Sequence, residues 1–265
     1  MQLSVVIITY NEEANIGRTL ASVQPLVSDG KGEIIVVDSG STDRTSEIAK
    51  SFGAKVFIEE WKGYAAQKNS GIEKADGEWI LSLDADEEVE KHLQSAIERT
   101  LTLYPELRKS GYWLRRKNFF LGKWIKHGGF WPDRKLRLFK RGVGRFEERQ
   151  VHETLRIEGD TKEIWHVKPI FQGALLHHSY PTLSDYIEHM NRYSSLGAEM
   201  VVAKGKVRFS FVNIVLRPLF TFIYNYFFRL GFLDGREGLL LHLYHAVYVS
   251  WKYAKAWELF RKQKD

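Results

Sequence analysis

The sequence predicts an α/β protein built on an open, mostly parallel sheet. Three observations lead there. Apolar runs of strand length recur through the first ninety residues, stretches with helical spacing separate them, and the runs end in polar or acidic residues. Strands alternating with helices assemble as parallel βα units. Residues 3–9 (Leu-Ser-Val-Val-Ile-Ile-Thr) form the first strand, a nearly unbroken apolar run of the kind buried on both faces. Asn11 follows as the expected N-cap of the first helix, with Glu12 and Glu13 in the first turn, where acids complement the positive helix end. Ile16, Leu20 and Val23 then recur at helical spacing. Residues 33–38 (Glu-Ile-Ile-Val-Val-Asp) form the second strand, closed by Asp38. Residues 39–43 (Ser-Gly-Ser-Thr-Asp) form a tight turn, in which Ser41 or Thr42 is expected to cap the helix holding Ile48 and Phe52. Residues 55–58 are a short third strand, 63–75 a helix, and 79–83 the fourth strand.

The fourth strand runs directly into Asp84-Ala85-Asp86, followed by Glu87 and Glu88. Two carboxylates at the C-terminal end of a parallel strand face the crevice where open α/β sheets bind ligands. Hard divalent cations such as Mg²⁺ and Mn²⁺ take carboxylate oxygens and share them with substrate phosphates. The alternative reading of the triplet is a solvated acidic turn. Neither GxGxxG nor GxxxxGK[ST] occurs in the chain, so a dinucleotide-binding turn and a P-loop lack support.

Composition narrows the class. At 265 residues with 44% hydrophobic content, the chain can bury one large domain with an appendage. The expected division is a larger domain over 1–181, itself in two halves at 1–107 and 108–181, and then a helical docking region over 182–265. There are no cysteines, which rules out a disulfide framework and fits a reducing compartment. The N-terminus opens on a core strand without a basic leader, so no secretory signal is expected. Residues 108–145 carry thirteen Lys or Arg and one acid, and residues 201–265 carry eleven and four, although the whole chain is only +6. Such basic surfaces meet nucleic acid, anionic lipid or phosphorylated substrates. Nucleic acid is excluded as an expectation because no nucleic-acid module pattern accompanies the charge. Residues 209–233 are rich in Phe, Tyr, Leu and Ile, but Arg217, Pro218 and Arg229 interrupt them, so a spanning helix is not expected. Aromatics interleaved with Lys and His over 239–257 suit a helix in a membrane interface, packing on the larger domain, or a homo-oligomer contact.

Four segments carry a family resemblance. Residues 6–12 (Val-Ile-Ile-Thr-Tyr-Asn-Glu), 36–43 (Val-Val-Asp-Ser-Gly-Ser-Thr-Asp), 67–71 (Gln-Lys-Asn-Ser-Gly) and 83–86 (Leu-Asp-Ala-Asp) occur in this order. They resemble the consecutive signatures of family 2 glycosyltransferases with the GT-A fold. Residues 137–139 (Arg-Leu-Phe), 151–153 (Val-His-Glu) and 233–235 (Leu-Asp-Gly) resemble a bacterial subgroup that includes lipopolysaccharide core glucosyltransferases. The resemblance implies a nucleoside diphosphate sugar donor, UDP-glucose in this subgroup, and a divalent cation, Mn²⁺ or Mg²⁺. It also implies an anionic glycolipid acceptor and peripheral attachment to the cytoplasmic face of an inner membrane.

The same resemblance makes 1–107 the nucleotide-sugar half and 108–181 the acceptor half of a catalytic domain, and it distributes roles. Thr9, Tyr10 and Glu12 border the nucleoside together with Ser41, and Asp38 reads the base edge, although a turn cap is the other reading of Asp38. Lys68 meets a ribose or diphosphate oxygen, with an ordinary surface lysine as the alternative. Asp84 contacts ribose or a metal-bound water, and Asp86 binds the cation. Inverting transfer also needs a base for the acceptor hydroxyl. The Glu-Asp pair common in the family is absent at its expected place. Glu147-Glu148 and Glu153 remain, of which Glu153 is preferred, with Glu148 the alternative base and His152 orienting Glu153 or replacing it. Arg134 and Arg137 would hold a diphosphate or acceptor phosphate, Trp131 would stack on a sugar, and His177 or His178 would complete the metal shell. Other readings are a polyprenyl-phosphate sugar synthase, in which Arg134 and Arg137 matter more than Glu153, a nucleotidyltransferase, which lacks its glycine-rich basic loop here, and a nucleotide-sugar-binding scaffold.

Overall fold

In a computed structural model that describes residues 2–102, 109–147, 153–164, 173–205 and 207–262, the expected βα order holds through the first ninety residues. β1 (Leu3–Thr9), α1 (Ile16–Val27), β2 (Gly32–Asp38), α2 (Thr45–Ser51), β3 (Lys55–Ile58), α3 (Tyr64–Glu73) and β4 (Trp79–Asp84) follow one another. Then come β5 (Glu87–Val89), α4 (Lys91–Thr102), β6 (Gly111–Phe120), β7 (Lys123–Trp124), β8 (Asp133–Lys140), β9 (Gly144–Glu147), β10 (Thr154–Ile157), β11 (Thr161–Glu163), β12 (Leu175–Tyr180), α5 (Leu183–Ala203), α6 (Arg217–Ile223) and α7 (Gly235–Lys262). The main sheet runs β3-β2-β1-β4-β8-β6-β12-β5. Its first four strands are mutually parallel, and β8 joins β4 antiparallel. Strand order steps from β1 to β2 and β3 on one side and then to β4 on the other, so the crevice opens at the carboxyl ends of β1 and β4.

Period-two alternation divides the core into two layers. Leu3, Val5, Ile7, Ile34, Val36, Trp79, Leu81 and Leu83 point to one face. There Ile16, Leu20 and Val23 of α1 and Leu93, Ile97 and Leu101 of α4 cover them. Val6, Ile8, Ile35, Val37 and Ile80 point to the other face, under Ala65 and Ile72 of α3. Gly71 lets α3 approach closely, since a Cβ there would lie 2.4 Å from Val6 Cγ1.

Two capping expectations fail. Asn11 does not cap α1: it has φ +51°, a left-handed conformation that Asn tolerates, and α1 begins only at Ile16. Its Oδ1 instead accepts the Thr42 N–H at 2.8 Å, and its N–H donates to Ser41 Oγ at 2.9 Å. Neither Ser41 nor Thr42 caps α2. Asp43 Oδ1 accepts the Thr45 N–H at 3.0 Å, because the turn runs two residues further than the spacing implied.

Contacts divide the chain into two units, Met1–Arg116 with Asp133–His177, and Lys117–Pro132 with His178–Asp265. The 181/182 boundary expected from sequence differs from this division, which gives Lys117–Pro132 to the second unit. In that unit α7 packs along α5. Lys255 Nζ donates to Asn191 O, Asn191 Oδ1, Ser194 Oγ and Ser195 Oγ. Burial lowers the Lys255 pKa, as these neutral acceptors do not replace a counter-ion. A continuous helical run over 211–228 contains Pro218, with π-helical turns at Val212–Leu216 and Tyr224–Phe228. Pro218 has no N–H to give the Ile214 carbonyl, and Ser250 Oγ supplies the missing donor at 2.8 Å. Asp234, in the Leu-Asp-Gly stretch at 233–235, is buried, and its carboxylate accepts the N–H groups of Lys126 and His127 and pairs with His127 Nδ1 at 2.9 Å. That stretch therefore fixes a loop of the second unit.

Candidate active site

Thr9, Asp38 and Asp84 end three neighbouring parallel strands, with Thr9 paired to Asp38 and Ile8 to Asp84 in register. The strand ends bring together an ionic network that the sequence leaves scattered. Lys68, on α3, is 1% exposed, and its Nζ lies 2.8 Å from Asp84 Oδ1 and 2.5 Å from Glu153 Oε1. The Phe146 ring lies 5.3 Å from the same ammonium. Asp84 Oδ2 accepts from Arg137 Nη2 at 2.6 Å, and the same nitrogen reaches Glu87 Oε1 at 2.9 Å. Arg116 Nη1 meets Glu87 Oε1 at 2.9 Å, and its Nη2 meets Asp133 at 2.8 Å. Glu87 Oε2 accepts the Asp84 N–H at 3.1 Å.

The network fixes charge states. Burial opposes ionisation of Asp84, but the Arg137 and Lys68 charges outweigh it and hold its pKa well below the carboxylate range. Burial likewise disfavours the Arg137 charge, yet Asp84 and Glu87 raise its pKa above the usual arginine value. Arg137 Nε is buried without a hydrogen-bond partner among the described residues.

Asp86 sits one residue on, and the sheet explains its neighbour. β5 pairs antiparallel with β12, placing His177 opposite Glu87. His177 Nε2 thus lies 3.3 Å from Asp86 Oδ2. Burial works against ionisation of Asp86, and the charge and hydrogen bond of His177 outweigh it, so its pKa falls. His178 stacks on Phe119 with ring centroids 4.9 Å apart, as the strand alternation sends it away from His177. Among the described residues no three His, Asp or Glu side chains gather as a metal cage. The donor pair of Asp86 and His177 nevertheless fits a cation that completes its shell with diphosphate oxygens and water, since carboxylate and imidazole both suit Mn²⁺.

The residues expected to border a nucleoside sit on two laced loops. Asp38 is fully buried, and its Oδ1 accepts from Ser41 N–H at 2.8 Å and Ser41 Oγ at 2.7 Å, while Oδ2 accepts from Ser46 Oγ. This is the geometry of a turn acceptor. Thr9 Oγ1 and Gln67 Oε1 are buried polar atoms without a partner among the described residues. Tyr10, next to Thr9 in sequence, stands exposed. Glu12 accepts from Asn15 at 2.7 Å, and burial followed by the charges of Asp86, Asp43 and Asp84 raises its pKa against that bond.

The other expected residues separate. Arg134 is half-exposed and pairs with Glu163 at 2.9 Å, so of the two arginines only Arg137 reaches Asp84. Trp131 belongs to the second unit, edge-on to Trp124 at 5.2 Å. Glu148 and His152 lie outside the described residues. Sequence reasoning gave no role to Glu87, which is fully buried between Arg116 and Arg137, or to Arg116. The available signal was an acid directly after Asp86 and an excess of arginine in a strand with apolar positions.

The sequence profile described as Glycosyl transferase family 2 matches residues 4–155. The lipopolysaccharide core biosynthesis glycosyltransferase LpsC of Rhizobium meliloti is 31% identical over 97% of this chain and 93% of its own. An uncharacterised glycosyltransferase of Rickettsia typhi is 31% identical over 100% of this chain and 89% of its own. Among solved structures, S. aureus TarS 1–349 in complex with UDP aligns over 99% of this chain and 92% of its own, at 17% identity and a TM-score of 0.48. With the family profile over more than half its length and relatives matched nearly end to end, the chain belongs to glycosyl transferase family 2.

Proposed function

We propose that this glycosyltransferase moves a hexose, glucose by resemblance, from a UDP-sugar to a hydroxyl of an anionic glycolipid of the lipopolysaccharide-core type, with inversion at the anomeric carbon. The observation that carries the reading is Lys68, which pairs with the strand-end carboxylate Asp84 and also with Glu153, 85 residues from the lysine in sequence. It sets a carboxylate from the far side of the chain next to the Asp84-Ala-Asp86 turn. In this reading Glu153 takes the proton of the acceptor hydroxyl, and Lys68 holds it in place until the donor seats. Lys68 and Arg137 keep Asp84 ionised and fixed as a positioning acceptor for ribose or an ordered water. Thr9 Oγ1 and Gln67 Oε1 offer unpaired polar atoms to the nucleoside, while Asp38 orders the loop that borders it and meets the base if that loop opens. Asp86 and His177 would hold a divalent cation. When bound, such a cation neutralises the leaving diphosphate.

Similarity to LpsC supports the acceptor class, and the reading places the enzyme at the cytoplasmic surface of an inner membrane, where a glycolipid acceptor is held. The polyprenyl-phosphate synthase reading needs arginines ready for a phosphate. Arg137 is instead committed to Asp84 and Glu87, and Arg134 to Glu163, which favours a hydroxyl acceptor. The test is a panel of nucleotide sugars with Mn²⁺ and a deacylated core oligosaccharide. Acceptor-dependent UDP release from one donor is expected. Absence of turnover with every UDP-sugar would remove the donor assignment.

A further inference from the structure

Residues 209–233, in the second unit, turn large apolar side chains outward. Phe228 is 74% exposed, Phe220 66% and Phe209 62%, and Phe211, Leu219 and Phe227 are also exposed. A monomeric surface seldom gathers so much apolar area without a partner. The charge of the same stretch is one-sided. Between Glu199 and Asp234 the sequence holds Lys204, Lys206, Arg208, Arg217 and Arg229 and no acid. A cavity of about 220 Å³ is lined by Lys204, Arg208, Ser210, Asn213 and Tyr253 among others. Two cations with hydroxyl and amide donors around a small cavity match a phosphate. No described helix is long and apolar enough to cross a membrane. α7, by contrast, is engaged along α5 through Lys255.

We propose that the 209–233 face lies in the plane of an anionic bilayer, its aromatic side chains in the headgroup layer and the Lys204–Arg208 cavity holding a lipid phosphate. This inference rests on the membrane-surface part of the reading above and names the surface responsible. Apolar side chains with a basic, acid-free flank are what an interfacial helix needs. A second copy of the chain is the poorer occupant, because an isologous contact would set one arginine-rich, acid-free face against another.

The test uses the full chain and sedimentation with vesicles, either phosphatidylcholine alone or phosphatidylcholine mixed with phosphatidylglycerol. Binding to the mixed vesicles is expected, weakened by high salt. Phe220→Ser and Phe228→Ser should each lower the partition coefficient about tenfold, since each removes one buried aromatic ring from the interface. Lys204→Glu combined with Arg208→Glu should abolish the preference for the anionic vesicles. These variants should release UDP with a deacylated acceptor as the parent does, which separates failed docking from failed chemistry. Absence of vesicle binding by the parent, or equal binding by the Phe variants, overturns the proposal. So does light scattering that shows a lipid-free dimer broken by Phe228→Ser, which would make the face a contact between copies.

Discussion

Lys68 is a lysine that the fold has taken almost wholly out of water and placed between two carboxylates. A buried charge is tolerated only when paired, and removing one partner of such a pair costs about 3–5 kcal/mol. Arg137→Met should therefore destabilise the chain by that order in urea unfolding, as it leaves Glu87 and Asp84 short of a counter-charge. For Asp84 the sign follows from its depressed pKa. The ionised form is favoured by folding, so its contribution is present above the ordinary value of 3.8 and fades as pH falls toward the folded pKa. The destabilisation caused by Asp84→Asn should be largest at neutral pH and shrink below about pH 3.8. Glu12 behaves oppositely. Burial raises its pKa, so its charge penalises the folded state above that pKa. Glu12→Gln should raise stability at pH 8 and leave it unchanged well below the ordinary value of 4.5. At the chemical step, Glu153→Gln should lower kcat by about 10²- to 10⁴-fold with donor affinity retained. A fully active Glu153→Gln would move the base elsewhere, with Glu148 next to be replaced.

At the scale of elements, the helical run over 211–228 shows how a proline is accommodated by a partner helix. The Ile214 carbonyl loses its acceptor role toward Pro218 and regains a donor from Ser250 on α7. Ser250→Ala should cost about 1 kcal/mol, the net worth of a hydrogen bond. The loss should be smaller when Pro218→Ala has restored an N–H, so a double-mutant cycle on thermal unfolding measures the coupling. Additive losses would mean that Ser250 acts through packing alone. The loops after β1 and β2 show a related economy of partners. Asn11 Oδ1 accepts the Thr42 N–H, the Asn11 N–H donates to Ser41 Oγ and the Glu13 N–H donates to Asp43 Oδ2, so the two loops tie the carboxyl ends of both strands together.

At the scale of the whole molecule, ligand binding should be visible as stability. A ligand that binds only the folded state at 100 times its Kd adds about 2.7 kcal/mol. UDP with Mn²⁺ should raise the Tm, and Asp86→Asn should remove the Mn²⁺-dependent part of that rise while leaving the ligand-free Tm close to the parent value. An unchanged Mn²⁺ response in Asp86→Asn would take the cation away from Asp86, without any need to measure turnover. The net charge of +6 is a small remainder of two basic segments and an acidic balance elsewhere, so bulk charge predicts little about which surface meets an anion.

The βα half of the fold is legible in one dimension. Strand runs such as 3–9 and 79–83 are apolar because both their faces are covered, and that signal is local and periodic. Asp38 and Asp84 are visible in the same way, since each closes an apolar run, and Asp86 stands two residues after Asp84. Caps were less legible. Asn11 and Ser41 have the composition of caps, but they bond across loops thirty residues apart, a choice that only the packed strands settle. The partners of the carboxylates emerge only when the chain has folded. Lys68, Arg137, Glu153 and His177 are distant in sequence, and Glu87 and Arg116 read there as ordinary charges. Their meeting is set by the β4-β8 pairing, by the β5-β12 register and by α3 settling on Gly71. A buried ion pair leaves no periodic trace, because its stabilisation depends on distance and desolvation, which exist only once the chain has folded.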